Sequence, residues 1–192
     1  MWPGARTRLG QEVIVARLGK GFWFAVVLPG LLGFDFWTKD WVRDNLAEGG
    51  AQLPLIPGWL SLWHAENPDI MFSLPVSPPV VFVGGALAMI VLAITWWQLP
   101  RGARLQSAAL GAVAAGALGN LVDRIPDGTV TDMVRLYTDH PPLASWLMAT
   151  VGTNTWPIFN VADVALLSGV GMWLLGDLLR CDPDPRDTLP GT

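Results

Sequence analysis

Asp132 closes the run GALGNLVDRIPDGTVTDM (residues 116–133), which follows an apolar Ala/Gly-rich stretch, and Asp163 lies inside the apolar segment WPIFNVADVALLSGVGMWLLGDLL (156–179). Ionisable groups in hydrocarbon cost several kcal/mol each, so they rarely persist there without a partner or a function. Two close carboxylates do not both ionise cheaply, and one tends to keep its proton. Such a pair activates a water with its ionised member and protonates a leaving amine with the other. The same aspartates can instead do no more than satisfy backbone or neighbouring polar groups, and the residues taken alone leave both readings open.

Other polar residues fall at helical spacing. Asp35 and Lys39 are four apart with the acid first, which suits an ion pair at a helix end better than a catalytic element. Asn120, Asp123 and Arg124 share a face, where an Arg can clamp a carboxylate or a lipid phosphate, although a structural network is the simpler reading. Asn160 and Asp163 are one turn apart, and the small Ala162 beside them permits close helix approach. Gly84-Gly85 and the Ala/Gly run 108–119 suit helix packing. His64 and His140 look like isolated, solvated loop histidines. The absence of a His-Glu-x-x-His pattern speaks against a zinc protease. No Ser/Lys or Ser/His arrangement stands out in a span, which weakens a serine mechanism. The single cysteine, Cys181, excludes an internal disulfide and a cysteine metal cluster.

These residues need a frame, and composition says which. The 192 residues are 52% hydrophobic and only 15% charged, against about 25% charged in a soluble domain, and eleven are tryptophan. The chain reads as an integral membrane protein. Four segments have the roughly 17–25 apolar residues that a transmembrane helix needs. They are predicted at about 18–37, 79–98, 105–122 and 157–179. The first competes with a cleaved signal peptide, but its core runs into Phe34-Asp-Phe-Trp-Thr-Lys39 with no small-x-small cleavage site, so a retained helix is expected.

Arg6, Arg8, Arg17, Lys20, Arg101, Arg104, Arg180 and Arg186 fall on one side if the termini share a face. Lys39, Arg43, Arg124 and Arg135 fall on the other, so both termini are predicted to be cytoplasmic. The loops 40–78 and 125–156 then lie outside the cytoplasm. Short runs between Pro and Gly at 53–63 suggest a small β element, and 143–149 a short amphipathic interfacial helix. Trp37, Trp41, Trp59, Trp63, Trp146 and Trp156 would mark the outer boundary. A single domain over 1–180 is expected, followed by a polar, Pro-rich tail, 181–192, expected to be disordered in the cytoplasm. On this topology Asp132 lies just past the third span and Asp163 about two turns into the fourth, at the same end of the bundle.

Taken in order, five motifs resemble those of the lipoprotein signal peptidase (signal peptidase II) family of bacterial membrane aspartic proteases. They are Asp35-Phe-Trp-Thr-Lys39, Asn67 with Phe72-Ser73, Gly116-Ala-Leu-Gly-Asn-Leu-Val-Asp-Arg124, Gly128-Thr-Val-Thr-Asp132 and Phe159-Asn-Val-Ala-Asp163. The resemblance covers nearly the whole chain. It implies an all-α membrane protein: four transmembrane helices with a small extracytoplasmic β cradle and a periplasmic interfacial helix. It casts Asp132 and Asp163 as the catalytic pair, with Asp35, Lys39, Asn67, Gly116, Asn120, Asp123, Arg124, Asn160 and Ala162 as substrate-binding or supporting positions. It also implies cleavage of diacylglyceryl-modified prolipoproteins just before the lipidated cysteine, without a metal or other cofactor. The expected partners are those precursors and membrane lipids, with no nucleic acid, and a monomer is expected. The expected location is the bacterial inner membrane, with the active site toward the periplasmic face.

Two departures from the family pattern stand out. After Asn67 the family usually has x-Gly-Ala-x-Phe, whereas Pro68-Asp-Ile-Met-Phe72 stands here, and Asp69 loses the backbone freedom of a glycine. The stretch between Asp132 and Asp163 also looks lengthened. They motivate an alternative, a catalytically altered paralogue that binds lipoproteins or an inhibitor, but retention of both aspartates argues against it. A small proton-coupled transporter is disfavoured because the acids sit at one membrane edge and no repeat is present.

Overall fold

Small side chains decide how this bundle packs. The computed structural model of the chain describes residues 19–68 and 78–179. Helix α1 spans Lys20–Asn45, α2 Pro78–Gln98, α3 Arg104–Asp123, α4 Pro141–Thr150 and α5 Val161–Leu178. Among the described residues α1, α2, α3 and α5 are long and apolar enough to cross a membrane. A three-stranded antiparallel sheet of β1 (Leu53–Ile56), β2 (Leu60–Asn67) and β3 (Val130–Leu136) sits at one end. This is the mostly helical, four-span architecture with a small β element that the sequence predicted.

Helix α3 is the centre. It packs mainly on α5 and α1, while α2 leans on α3 and touches α1 at one end, where Lys20 donates to the Trp96 carbonyl and Phe24 meets the Trp96 ring. Lipid tails are as apolar as Leu, so helices in a membrane associate through close van der Waals contact, for which Gly and Ala let backbones approach. A Cβ on Gly116 would lie 2.3 Å from the Ala162 carbonyl oxygen, and one on Gly169 would lie 2.7 Å from that of Ala109. One glycine on each helix thus admits the backbone of the other. The apolar side chains of α2, among them Val83, Leu87 and Val91, point outward, where hydrocarbon would cover them.

The sheet is tied to the bundle at the point that matters. Gly58, at φ 80°, turns β1 into β2. In the next pair Ala65 faces Asp132, Glu66 faces Thr131 and Asn67 faces Val130. Between Leu62 and Ala65 the register shifts by one residue, a bulge that re-aims the side chains of β2. Phe159 then bridges to Val134: its carbonyl accepts the Val134 N–H at 2.8 Å, and its own N–H donates back at 3.2 Å. Helix α4 buries none of its residues and packs on no other element.

Three expectations need correction. Helix α1 does not end near 37 but continues to Asn45, because the extra turns bury Lys39 and Val42 against the bundle. Helix α5 starts at Val161, not 157, since Pro157 has no N–H to donate, Phe159 is engaged by β3, and Asn160 is extended at φ −124° and ψ −177°. Asp163 therefore lies in the first turn of α5 and not two turns in. Strand β3, which carries Asp132, was expected as loop. Outside the described residues lie Arg6, Arg8, Arg17, Arg180, Arg186, Cys181, Asp69, Phe72, Ser73 and the tail from 181.

Gly116→Ala and Gly169→Ala should each destabilise the protein by about 1–3 kcal/mol, because the new methyl meets backbone that has nowhere to go. Gly171, with open space around it, should accept Ala at little cost. Thermal unfolding in detergent reads the difference, and equal midpoints for the three variants would contradict the close α3–α5 contact.

Candidate active site

Lys39 of α1 is completely buried and must place a charge. Its ammonium lies 2.9 Å from Asp35 Oδ2, 3.2 Å from Asp123 Oδ2, and 3.1 Å from Asn120 Oδ1, to which it donates. Two carboxylates and one amide oxygen therefore surround the ammonium. Arg43, one turn further along α1, pairs with Asp123 Oδ1. Two carboxylates thus face two cations, and breaking such a buried set by removing one partner typically costs 3–5 kcal/mol.

Each carboxylate also reaches out to the backbone. Asp35 Oδ1 accepts the N–H of Ala162 at 2.8 Å, one of the first-turn amides of α5 that lack a partner within the helix. Asp123 Oδ2 accepts the N–H of Thr131 on β3 at 2.9 Å. The lysine cluster therefore fixes both segments that carry the candidate catalytic aspartates. Gly119 makes room for it, since a Cβ there would lie 2.6 Å from Asp35 Oδ2.

Asparagines extend the cluster. Lys39 can only donate, so the Asn120 oxygen faces it and the amide nitrogen turns to Asp163 Oδ1, at 2.7 Å. Asn160 is the N-cap of α5: its oxygen accepts the Asp163 N–H at 3.0 Å, while Asp163 Oδ2 accepts the Asn160 N–H at 3.2 Å, a reciprocal capping box. With its oxygen so engaged, the Asn160 amide nitrogen donates to Asn120 Oδ1 at 3.1 Å and to Asp132 Oδ1 at 2.8 Å. Asn67 of β2 donates to Asp132 Oδ2, also at 2.8 Å. Asp132 and Asp163 are thus joined through Asn160 and oriented by three asparagine amides. Burial pushes the Asp132 carboxyl up to about 6, against the lowering effect of the Asn67 hydrogen bond, and the nearby Asp163 adds to the rise.

The remaining predicted positions attach to this network. Arg124 ends α3 and donates to the Asn120 carbonyl at 3.0 Å. It lines, with Asn120, Leu121, Val80 and Gly84, a cavity of about 450 Å³ between α2 and α3. Gly116 acts through its close approach to Ala162. The Asp35–Lys39 pair is buried in the bundle and not at a helix end. His64 is not a solvated loop residue: it lies on β2, buried, with Nε2 2.9 Å from Glu66 Oε1 and Nδ1 2.9 Å from the Leu46 carbonyl. The sequence reading missed Arg43, Glu66 and Thr131 as members of the site. The i, i+4 spacing of Lys39 and Arg43 was the available signal for the first; the other two need the strand register. Among the described residues no three or more His, Cys, Asp or Glu side chains gather as metal ligands would.

Known proteins are similar to this chain. A family model described as Signal peptidase (SPase) II matches residues 27–179. A lipoprotein signal peptidase of Deinococcus radiodurans is 32% identical over 93% of this chain and 94% of its own length. One from Chlorobium phaeovibrioides is 34% identical over 80% of this chain and 88% of its own. Two solved bacterial membrane enzymes, determined by the in meso method, share the fold with TM-scores of 0.70 and 0.67 at 21% and 22% identity. The first of them covers 88% of this chain and 93% of its own, the second 83% and 94%. A match over most of the chain, on a four-span bundle with a three-stranded sheet, makes this protein a membrane peptidase that belongs to the signal peptidase II family.

Proposed function

We propose that the protein is an aspartic endopeptidase that removes the signal peptide from diacylglyceryl-modified prolipoproteins, cutting just before the lipidated cysteine. The observation that carries this reading is the junction at Asn160, whose amide nitrogen bonds Asp132 while its backbone N–H and side-chain oxygen engage Asp163. Family membership supports the substrate class, and the relatives named lipoprotein signal peptidase point the same way. The site lies toward the non-cytoplasmic face of the inner membrane with both termini cytoplasmic, as the Lys/Arg asymmetry suggests. The cavity between α2 and α3 suits an apolar part of the precursor, with Asn120 and Arg124 lining its polar side.

In this mechanism the pair holds one proton in the resting enzyme, on Asp132. Asp163, ionised, takes a proton from a water whose oxygen attacks the scissile carbonyl carbon, and Asp132 gives its proton to the carbonyl oxygen. Collapse of the tetrahedral intermediate breaks the C–N bond: Asp163 gives the proton it took from water to the leaving amine, and a hydroxyl of the intermediate returns its proton to Asp132 as the carbonyl re-forms, which regenerates the resting state. Three neutral amides orient the carboxylates without neutralising either. No metal takes part in these steps, and the neighbours of the pair are amides, not further ligands.

Replacing either carboxylate removes a proton-transfer partner. Asp132→Asn and Asp163→Asn should each lower kcat by about 10²–10⁴-fold with the protein still folded in the membrane. Mass spectrometry of a lipid-modified precursor peptide incubated with purified enzyme measures this, and near wild-type turnover by either variant would remove that residue from the mechanism.

The pH profile follows from Asp132. Its proton is present below about pH 6 and is lost as the pH rises through that value, so kcat/KM should fall on the alkaline side. A rate that kept climbing well above neutrality would exclude a protonated Asp132 as the acid. Cleavage should also survive EDTA and 1,10-phenanthroline; loss of activity restored by added divalent ion would replace the dyad with a carboxylate-bound metal.

A further inference from the structure

The face of the sheet turned away from Asp132 carries a second polar cluster that the proposed chemistry does not use. Side chains alternate along a strand, so Asn67 and Asp132 share one face while His64, Glu66, Thr129 and Thr131 share the other. Glu66 Oε1 accepts the Thr131 hydroxyl at 2.8 Å, and Oε2 accepts the Thr129 hydroxyl at 2.7 Å. His64 joins this carboxylate to the Leu46 carbonyl, just past the end of α1.

We propose that Glu66 is a positioning residue for Asp132, acting through Thr131, with His64 anchoring it to the end of α1. The inference rests on the reading of Asp132 as catalytic. Thr131, completely buried, immediately precedes Asp132 and is gripped from two sides: Asp123 holds its N–H and Glu66 its hydroxyl. The backbone ladder already pairs β2 with β3, so the side-chain bonds at residues 129 and 131 fix the rotation of β3 about its own axis. That rotation sets where the Asp132 carboxylate points between Asn67 and Asn160. The His64 ring thus ties Glu66 to the end of α1 with one contact from each of its nitrogens.

The charged surroundings are consistent with this role. Arg43 on α1 faces the cluster but is paired with Asp123 and Asp40. Lys39 is taken up by Asp35, Asp123 and Asn120. Asp127, in the connection between α3 and β3, shares the Thr129 hydroxyl at 2.9 Å. Of these titratable groups, His64 is the one in direct contact with Glu66.

The test uses the full chain in detergent with a diacylglyceryl-modified precursor peptide, comparing Glu66→Gln, Thr131→Val, Thr131→Ser and the double variant Glu66→Gln/Thr131→Val. Misaiming a reacting group lowers turnover more than binding, so Glu66→Gln and Thr131→Val should each lower kcat about tenfold while KM stays within about twofold. Thr131→Ser, which keeps the hydroxyl, should stay near wild type, and the double variant should be no worse than Thr131→Val, because the hydroxyl through which residue 66 acts is then already gone. Wild-type kcat for Glu66→Gln, or defects that multiply in the double variant, would overturn the proposal. So would an equal loss in Thr131→Ser that tracks a lowered Tm, which marks a purely structural cluster. An Asp132→Asn control separates the two levels. If it is inactive while Glu66→Gln is normal, only the positioning role falls; if it is active, the catalytic reading falls and this inference with it.

Discussion

The structure depends on one buried ammonium. Lys39 sits fully buried in a bundle whose central helix is rich in alanine and glycine, away from bulk water that could solvate the charge. Stranding a charge there would cost several kcal/mol, so it must be paired. The pairing draws Asp35, Asp123 and Asn120 to one point, and those groups in turn hold the start of α5, the strand β3 and the side chain of Asp163. A four-helix bundle in lipid, with little hydrophobic force between its helices, gains in this cluster a contact that is both strong and directional.

Packing and polarity solve the same problem from opposite sides. The glycines that let α3 approach α5 also leave room for the carboxylates: Gly119 gives its space to Asp35, and Gly116 brings the Ala162 backbone within reach of it. A larger residue at either position would do more than open a gap in the packing. It would lift α5 away from the carboxylate that satisfies its first turn, and the capping box at Asn160 would shift with it.

The sequence made the spans and most of the polar network legible, for physical reasons that differ from residue to residue. Length and hydropathy locate helices in a membrane because lipid forbids unsatisfied backbone. The cost of a charge in that setting singles out Asp35, Lys39, Asp123 and Asp163 before any contact is known. Hydropathy does not mark where α5 begins, since Trp156, Phe159 and Val161 are equally apolar, and the signals were instead Pro157 and a capping Asn160. Strand β3 was missed because its apolar and polar residues do not alternate cleanly: Val130, Thr131, Asp132 and Met133 are all buried. His64 and Glu66 were illegible for a further reason, since the bulge that aims them and the threonines they meet are set by register between strands far apart in sequence.

The asparagines have a role that neither charged nor apolar residues could take. Lys39 reaches Asp163 only through an amide. Asn120 stands between them, accepting from Lys39 and donating to Asp163, so orientation is transmitted while the full charge stays one residue away. Asn160 repeats the arrangement between Asp163 and Asp132. Asp132 feels Lys39 only weakly, after its own burial, the hydrogen bonds from Asn67 and Asn160, and the opposing charge of Asp163. Burial therefore outweighs attraction there and lifts its carboxyl toward neutrality, the condition under which one member of a carboxylate pair can keep a proton to give.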